Sequence, residues 1–100
     1  MKEISIRNAE ILGKQTLLFQ TQEECGELIK AIAKYNRTRG IGQKTETTEE
    51  AAYENLIEEL ADVEICLEQL IYLLNVKESV DQKKQIAFEK VAFRYRSEEI

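Results

Sequence analysis

The sequence has no histidine and no proline, and it has only four glycines among 100 residues. Without histidine, the chain cannot build a serine–histidine nucleophile, a histidine-bearing zinc site or the Glu-x-x-His motif of helical di-iron proteins. Any metal ion must therefore be held by oxygen ligands. Because helix breakers are scarce while 43% of the residues are hydrophobic and 33% are charged, the composition predicts amphipathic helices rather than disorder.

A surplus of positive charge is also missing, since the formal net charge is −5. This balance argues against nucleic acid and anionic membranes as partners, although a nucleotide is compatible with it because a bound metal ion reverses the local sign. No apolar stretch is long enough to span a bilayer, and residues 1–5 do not lead into the apolar run of a secretory signal. We therefore expect a cytoplasmic protein in which Cys25 and Cys66 are buried, reduced thiols without chemistry.

The spacing of the apolar residues predicts an all-α fold with three main helices. The first is expected over residues 15–35, the second ends at about Leu74, and the third starts at Ser79, which with Gln82 fits a capping box. A chain of this length is expected to form one domain over residues 1–100. Its core is thin for an independent domain, so we expect a helical bundle that is completed by self-association.

The segments outside these helices are predicted from their polarity and capping signals. Residues 1–14 are expected to be loose or to form a short helix that their one glycine interrupts. Residues 36–48 are polar, contain two glycines and are predicted to be a loop. The second helix is expected to start at Thr47 or Thr48, and Thr47 with Glu50 fits a capping box.

Two pairs of carboxylates have the same position relative to the core. On a helical wheel of about 100° per residue, Glu24 and Glu27 lie about 60° apart, as do Glu59 and Asp62. Each pair borders the apolar stripe of its own helix instead of lying opposite to it. If the two helices pack antiparallel, the four carboxylates converge at the rim of the core.

Carboxylates held together repel one another and resist leaving water, so such a cluster needs a reason to form, namely an interaction that compensates for this unfavourable free energy. Mg²⁺ supplies one, because it prefers oxygen ligands and often shares them with substrate phosphates. The alternative is a solvated acidic surface, since pairs at this spacing arise by chance in a chain with 19 acidic residues.

The acidic segments carry a family resemblance. Residues 22–28 read QEECGEL and residues 55–63 read NLIEELADV. Together they resemble the MazG-type all-α nucleotide pyrophosphatases, which are marked by Glu-Glu-x-x-Glu, a spacer and Glu-x-x-Asp. The spacer, residues 28–58, is longer than is usual in the family. The resemblance covers most of residues 15–96, and residues 61–70 look closest to small phage and prophage members.

The resemblance implies a fold, a reaction and a site. The fold would be a helical bundle completed as a homodimer or homotetramer. The reaction would be hydrolysis of a nucleoside or deoxynucleoside triphosphate to the monophosphate and pyrophosphate. The metal ligands would be Glu24, Glu27, Glu59 and Asp62, holding Mg²⁺ or Mn²⁺. Glu23 and Glu27 are the candidates for the base that activates water.

Substrate contacts are expected from three further residues. Asn55 shares the acidic face of its helix and is a candidate for contact with sugar or phosphate. Family members place cations of the third helix near the phosphates, and Lys90 and Arg94 match this pattern best, with ordinary surface charge as the alternative. The candidates for base stacking are Tyr35, Tyr53 and Tyr72, although all three fit core or interface positions better.

Two other functions are compatible with the same residues. A phosphoribosyl-ATP pyrophosphohydrolase shares the acidic pattern, although the sequences around its acidic residues resemble those of this chain less closely. A non-catalytic, nucleotide-binding regulatory dimer of the same fold is the second alternative. The presence of carboxylates at all the motif positions favours an enzyme over this second alternative.

Overall fold

The computed structural model of the chain describes residues 2–98, which form three helices. These are α1 (Glu3–Thr38), α2 (Glu49–Leu74) and α3 (Lys77–Glu98). The described residues contain no strand, so the predicted all-α class is confirmed. Among these residues, no helix combines the length and the apolar character that a membrane span requires.

Helix α1 is longer than the sequence analysis predicted, because residues 3–12 are helical and continue into the rest of α1 through a kink. The kink is at Gly13, where φ is +83° and ψ is 166°, a conformation that side chains with a Cβ rarely adopt. The segment before the kink is tied to the end of α2. Gln69 Nε2 donates hydrogen bonds of 3.1 Å to the carbonyl and hydroxyl oxygens of Ser5, and the Tyr72 hydroxyl donates to Glu10 at 2.8 Å.

The loop between α1 and α2 is shorter than predicted, since residues 36–38 still belong to α1. The Thr38 hydroxyl donates to the carbonyl oxygen of Tyr35 and so extends the last turn. At the other end, Thr48 is the N-cap of α2, and its hydroxyl accepts a hydrogen bond from the backbone N–H of Ala51. The capping box predicted for Thr47 is therefore wrong.

Helix α2 ends at Leu74, as predicted, because Asn75 adopts the left-handed conformation. The backbone N–H of Asn75 donates to Tyr72 and that of Val76 donates to Ile71, which is the hydrogen-bond pattern of a Schellman motif. Helix α3 starts directly afterwards at Lys77. The predicted start at Ser79 is wrong, because the carbonyl oxygen of Val76 already accepts the first bond of the new helix, from the N–H of Val80.

Helices α1 and α2 form an antiparallel hairpin, since Tyr35 meets Tyr53 near the loop while Glu24 meets Asp62 farther along. The core between them is thin. Its buried apolar side chains are Ala9, Leu17, Ala31, Ala52, Val63 and Cys66, and Leu17 is the largest that is fully buried. Within the described residues, α3 makes few contacts with α2 and none with α1, so it extends away from the hairpin.

Candidate metal centre

Three carboxylates converge at the middle of the hairpin. One oxygen each of Glu24, Glu59 and Asp62 lies within 4.8 Å of the other two. Glu24 comes from α1, whereas Glu59 and Asp62 lie one turn apart on α2. The antiparallel packing of the two helices produces this arrangement, because the apolar stripes meet and the acidic edge of each stripe follows.

Glu59 is the member of the cluster that has a buried oxygen without a hydrogen-bond donor among the described residues. Its side chain is half-buried, and its Oε2 atom is buried without a hydrogen-bond partner among the described residues. Buried polar side chains elsewhere in the hairpin do have partners, since the Thr21 hydroxyl donates to Leu17 at 2.7 Å and Gln69 donates to Ser5. A buried acceptor without a donor is costly, so this oxygen fits the coordination of a cation.

The electrostatics of the cluster agree with this conclusion. The pKa of Glu59 is raised above its ordinary value, chiefly by burial and then by the negative charges of its neighbours Asp62, Glu24, Glu27 and Glu58. Every charged group that shifts it is an acid. A cation would reverse each of these effects, because it favours the ionised carboxylate.

The thiol of Cys66 lies beside the same cluster and was not among the expected site residues. It is buried, and burial raises the pKa of the thiol, with further contributions from Glu24, Asp62 and Cys25. The wheel position of Cys66, one turn after Asp62, is the signal in the sequence that places it there. A protonated thiol in this position is a small apolar wall of the site.

The other predicted acidic residues lie outside the converging group. Glu27 is exposed on the turn after Glu24, and its carboxylate is 3.5 Å from the ammonium group of Lys30. It is still close enough to Glu59 to contribute to the raised pKa of that group. Glu23 is exposed as well.

The predicted substrate residues are divided between two places. Asn55 is half-buried on α2, one turn before Glu59 and therefore on the same side of that helix. Lys90 and Arg94 are exposed on α3, which does not cover the hairpin. The structure therefore brings Asn55 close to the acidic cluster but does not bring the two cations to it.

Two of the predicted base-stacking residues, Tyr35 and Tyr53, meet at the loop end of the hairpin. The third, Tyr72, lies near the end of α2, where its hydroxyl donates a hydrogen bond to Glu10. The rings of Tyr35 and Tyr53 are 5.6 Å apart and tilted by 49°. The Arg39 guanidinium lies 5.6 Å from the centre of the Tyr35 ring and donates a hydrogen bond of 3.3 Å to its hydroxyl. Each aromatic ring thus already has a neighbour within the chain, as expected for a packing role.

Comparison with known protein families identifies a matching domain family. The family model described as the MazG nucleotide pyrophosphohydrolase domain matches residues 12–96, which include both acidic segments and most of α3. Neither the comparison with curated proteins nor that with solved structures gave a match.

Proposed function

Because the chain belongs to the MazG nucleotide pyrophosphohydrolase family, we propose that it hydrolyses a nucleoside or deoxynucleoside triphosphate to the monophosphate and pyrophosphate, with Mg²⁺ or Mn²⁺ as cofactor. The observation that carries this proposal is the convergence of Glu24, Glu59 and Asp62, together with the buried Oε2 atom of Glu59, to which no group of the described residues donates a hydrogen bond. A merely solvated acidic surface would leave that oxygen in water.

The donor set fits a hard divalent ion. All the atoms that converge are carboxylate oxygens, and ions of this kind bind through a few carboxylates together with substrate phosphates. When bound, the ion would supply charge neutralisation for the phosphates and would make the attacking water easier to deprotonate. Glu24, Glu59 and Asp62 would hold it, and Glu27, one turn from Glu24, is the proposed fourth ligand.

The chemistry that is left to the side chains is proton transfer and orientation. In the proposed reaction the oxygen of water bonds to the α-phosphorus, the bond from that phosphorus to the bridging oxygen breaks, and pyrophosphate leaves. The proton of the water passes to a carboxylate, for which Glu27 and Glu23 are the candidates. Glu27 is the better placed of the two, because its charge acts on Glu59. Asn55 is proposed to donate its amide to a sugar or phosphate oxygen.

We also propose that the enzyme works as a homodimer or homotetramer. Large apolar side chains of the hairpin are exposed in the single chain, including Ile29 at 67% and Leu60 at 47%. Exposed apolar side chains beside a thin core favour association. Light scattering on a size-exclusion column tests this proposal, and a stable monomer at micromolar concentration would contradict it.

The decisive experiment is a hydrolysis assay. The purified chain is incubated with canonical and modified nucleoside triphosphates, in Mg²⁺ or in EDTA, and both monophosphate and pyrophosphate are measured. We expect turnover only with the metal, and we expect Asp62→Asn to abolish it. Glu64→Gln is the matched control, because Glu64 is exposed on the same helix and lies outside the cluster. No turnover of any nucleotide would refute the proposal.

The same assay separates the alternative functions. Phosphoribosyl-ATP is included in the panel, and selective hydrolysis of that compound would assign the alternative substrate. A non-catalytic regulatory protein would bind nucleotides in calorimetry without consuming them. Turnover that persists in Asp62→Asn would show that the reaction takes place elsewhere on the molecule.

A further inference from the structure

The stretches of α1 and α2 that form the acidic cluster carry no free basic side chain. Helix α2 has eight acidic residues and no lysine or arginine, and residues 15–29 of α1 also have no basic residue. The next base along α1 is Lys30, whose ammonium group is 3.5 Å from Glu27. Because one divalent ion does not balance both these carboxylates and a triphosphate, further positive charge is needed from outside these stretches.

The first residues of the chain fold back towards the acidic cluster. If α1 were straight, Ser5 would lie roughly 28 Å from Glu24, at about 1.5 Å per residue. Its hydrogen-bond donor Gln69 lies only about 10 Å along α2 from the last acid of the cluster. Because these two residues are bonded to each other, the chain must turn at Gly13. We call residues 2–12, which double back beside the end of α2, the N-terminal arm.

The N-terminal arm runs in the same direction as α2. Near its start, Ser5 accepts hydrogen bonds from Gln69. Near its end, Glu10 accepts a hydrogen bond from Tyr72, which lies one turn later on α2. Ala9, between the two contacts, is fully buried. The start of the arm is therefore the end that lies nearer to the acidic cluster.

Lys2 lies at this end of the arm. It is the N-cap of α1, one turn before Ser5 and therefore on the side that meets α2. This position is about level with Cys66, which is one turn, about 5.4 Å, from Asp62. The four-carbon stem of a lysine spans such a distance. Lys2 is exposed and forms no ion pair with another described residue, so its charge is available to a ligand.

We propose that Lys2 binds a phosphate group of the nucleotide at the acidic cluster, and that Gln69 is a positioning residue that holds the arm in place through Ser5. This inference rests on the proposed function and adds a phosphate-binding residue to it. The family match begins at residue 12, so it does not describe the arm. The proposal is supported by the direction of the arm, the unpaired charge of Lys2 and the lack of cations around the cluster.

The kinetics of Lys2→Ala test the phosphate contact. Loss of one charge-assisted contact is expected to raise KM about tenfold and to change kcat less than about twofold, because the contact is present in both the ground state and the transition state. Lys14→Ala is the matched control, since Lys14 is exposed and lies beyond Gly13, at the far end of the arm. Lys2→Arg keeps the charge and should retain most of the affinity. Equal KM values for Lys2→Ala and Lys14→Ala would overturn the proposal.

The substitution Gln69→Met tests the positioning role. It keeps an unbranched side chain but removes the donor to Ser5. Once circular dichroism has shown wild-type helicity, we expect KM to rise as it does in Lys2→Ala. The double variant Lys2→Ala/Gln69→Met should have no higher KM than either single variant, because both lose the same contact. Effects that multiply in the double variant would show that Gln69 acts independently of Lys2 and would overturn its positioning role.

Acetylation of the wild-type protein gives a result that does not depend on turnover. With tripolyphosphate and Mg²⁺ as the probe, we expect slower acetylation of the Lys2 amine and an unchanged rate at Lys14, both measured by mass spectrometry. The same rate at Lys2 with and without tripolyphosphate would overturn the proposal. If the wild-type protein hydrolyses no nucleotide, the proposed function fails, and the protection of Lys2 decides the phosphate contact separately.

Discussion

The substitution Glu59→Gln separates two effects of the acidic cluster on stability: destabilisation of the metal-free protein and stabilisation when a metal ion binds. In the metal-free protein, the pKa of Glu59 is raised above its ordinary value of 4.5, so the folded protein binds this proton more tightly than the unfolded chain does. Ionised Glu59 therefore destabilises the fold at neutral pH, and the wild type gains stability as the pH falls through the raised pKa towards 4.5. We expect metal-free Glu59→Gln to be more stable than the wild type at pH 7 and to lose this advantage on acidification.

Mg²⁺ is expected to reverse the order of stability of the wild type and the Glu59→Gln variant. A ligand present at about 100 times its dissociation constant stabilises the folded state by about 2.7 kcal/mol. For a domain of this size, that free energy raises the melting temperature by roughly 10 to 20 °C. If the loss of the Glu59 ligand weakens metal binding about 100-fold, the metal would stabilise the variant by only about 0.4 kcal/mol at the same metal concentration. The wild type should therefore be the more stable protein in Mg²⁺ and the less stable one in EDTA.

Thermal unfolding followed by circular dichroism measures both effects, at one protein concentration because association also shifts the melting temperature. Glu64→Gln makes the same chemical change on the same helix but outside the cluster, and it should respond to Mg²⁺ as the wild type does. If Glu59→Gln shows the same rise with Mg²⁺ as the wild type, Glu59 is not a ligand. A metal-free variant that is less stable than the wild type at pH 7 would refute the electrostatic reasoning.

Three further predictions concern the fold that positions the site, and urea denaturation measures each of them. Leu17→Ala should lower the free energy of unfolding by about 2–5 kcal/mol, because Leu17 is fully buried, whereas Leu18→Ala should cost much less because Leu18 is 50% exposed; equal losses would contradict the described core. Gly13→Ala should cost about 1–3 kcal/mol through its φ of +83°, although no side chain of a more distant described residue lies within 4 Å of the added Cβ, and an unchanged midpoint would argue against the kink. Thr48→Ala should cost about 1 kcal/mol, and a larger loss in Thr47→Ala would show that the cap is misassigned.

The sequence was sufficient to predict what depends on periodicity. The apolar spacing gave the helical class and the end of α2 at Leu74, and the wheel positions placed Glu24, Glu59 and Asp62 on meeting edges. These features are local, or they follow from two stripes that bury each other, so they need no knowledge of exact packing.

What could not be predicted depends on contacts that are distant in sequence. Residues 3–12 look weakly patterned, yet they are held as a helix on the end of α2, where Gln69 binds Ser5. Their apolar residues do not reveal that partner. The exposed position of Glu27 beside Lys30 depends on how deeply α1 sits against α2, which a wheel does not specify. The direction of α3 is decided by two backbone hydrogen bonds at Asn75 and Val76.

The absence of basic residues from α2 has a consequence for how the protein folds. With eight like charges and no cation along 26 residues, this helix cannot gain from pairs of opposite charge four residues apart, and its neighbours repel one another instead. Alone, it is a poor nucleus, so its formation has to wait until α1 supplies an apolar surface. We expect the refolding rate in stopped-flow experiments to rise with ionic strength, and a rate independent of salt would show that α2 forms without this barrier. The acidic residues that are proposed to hold a metal ion thus belong to a charge that also delays the assembly of the hairpin.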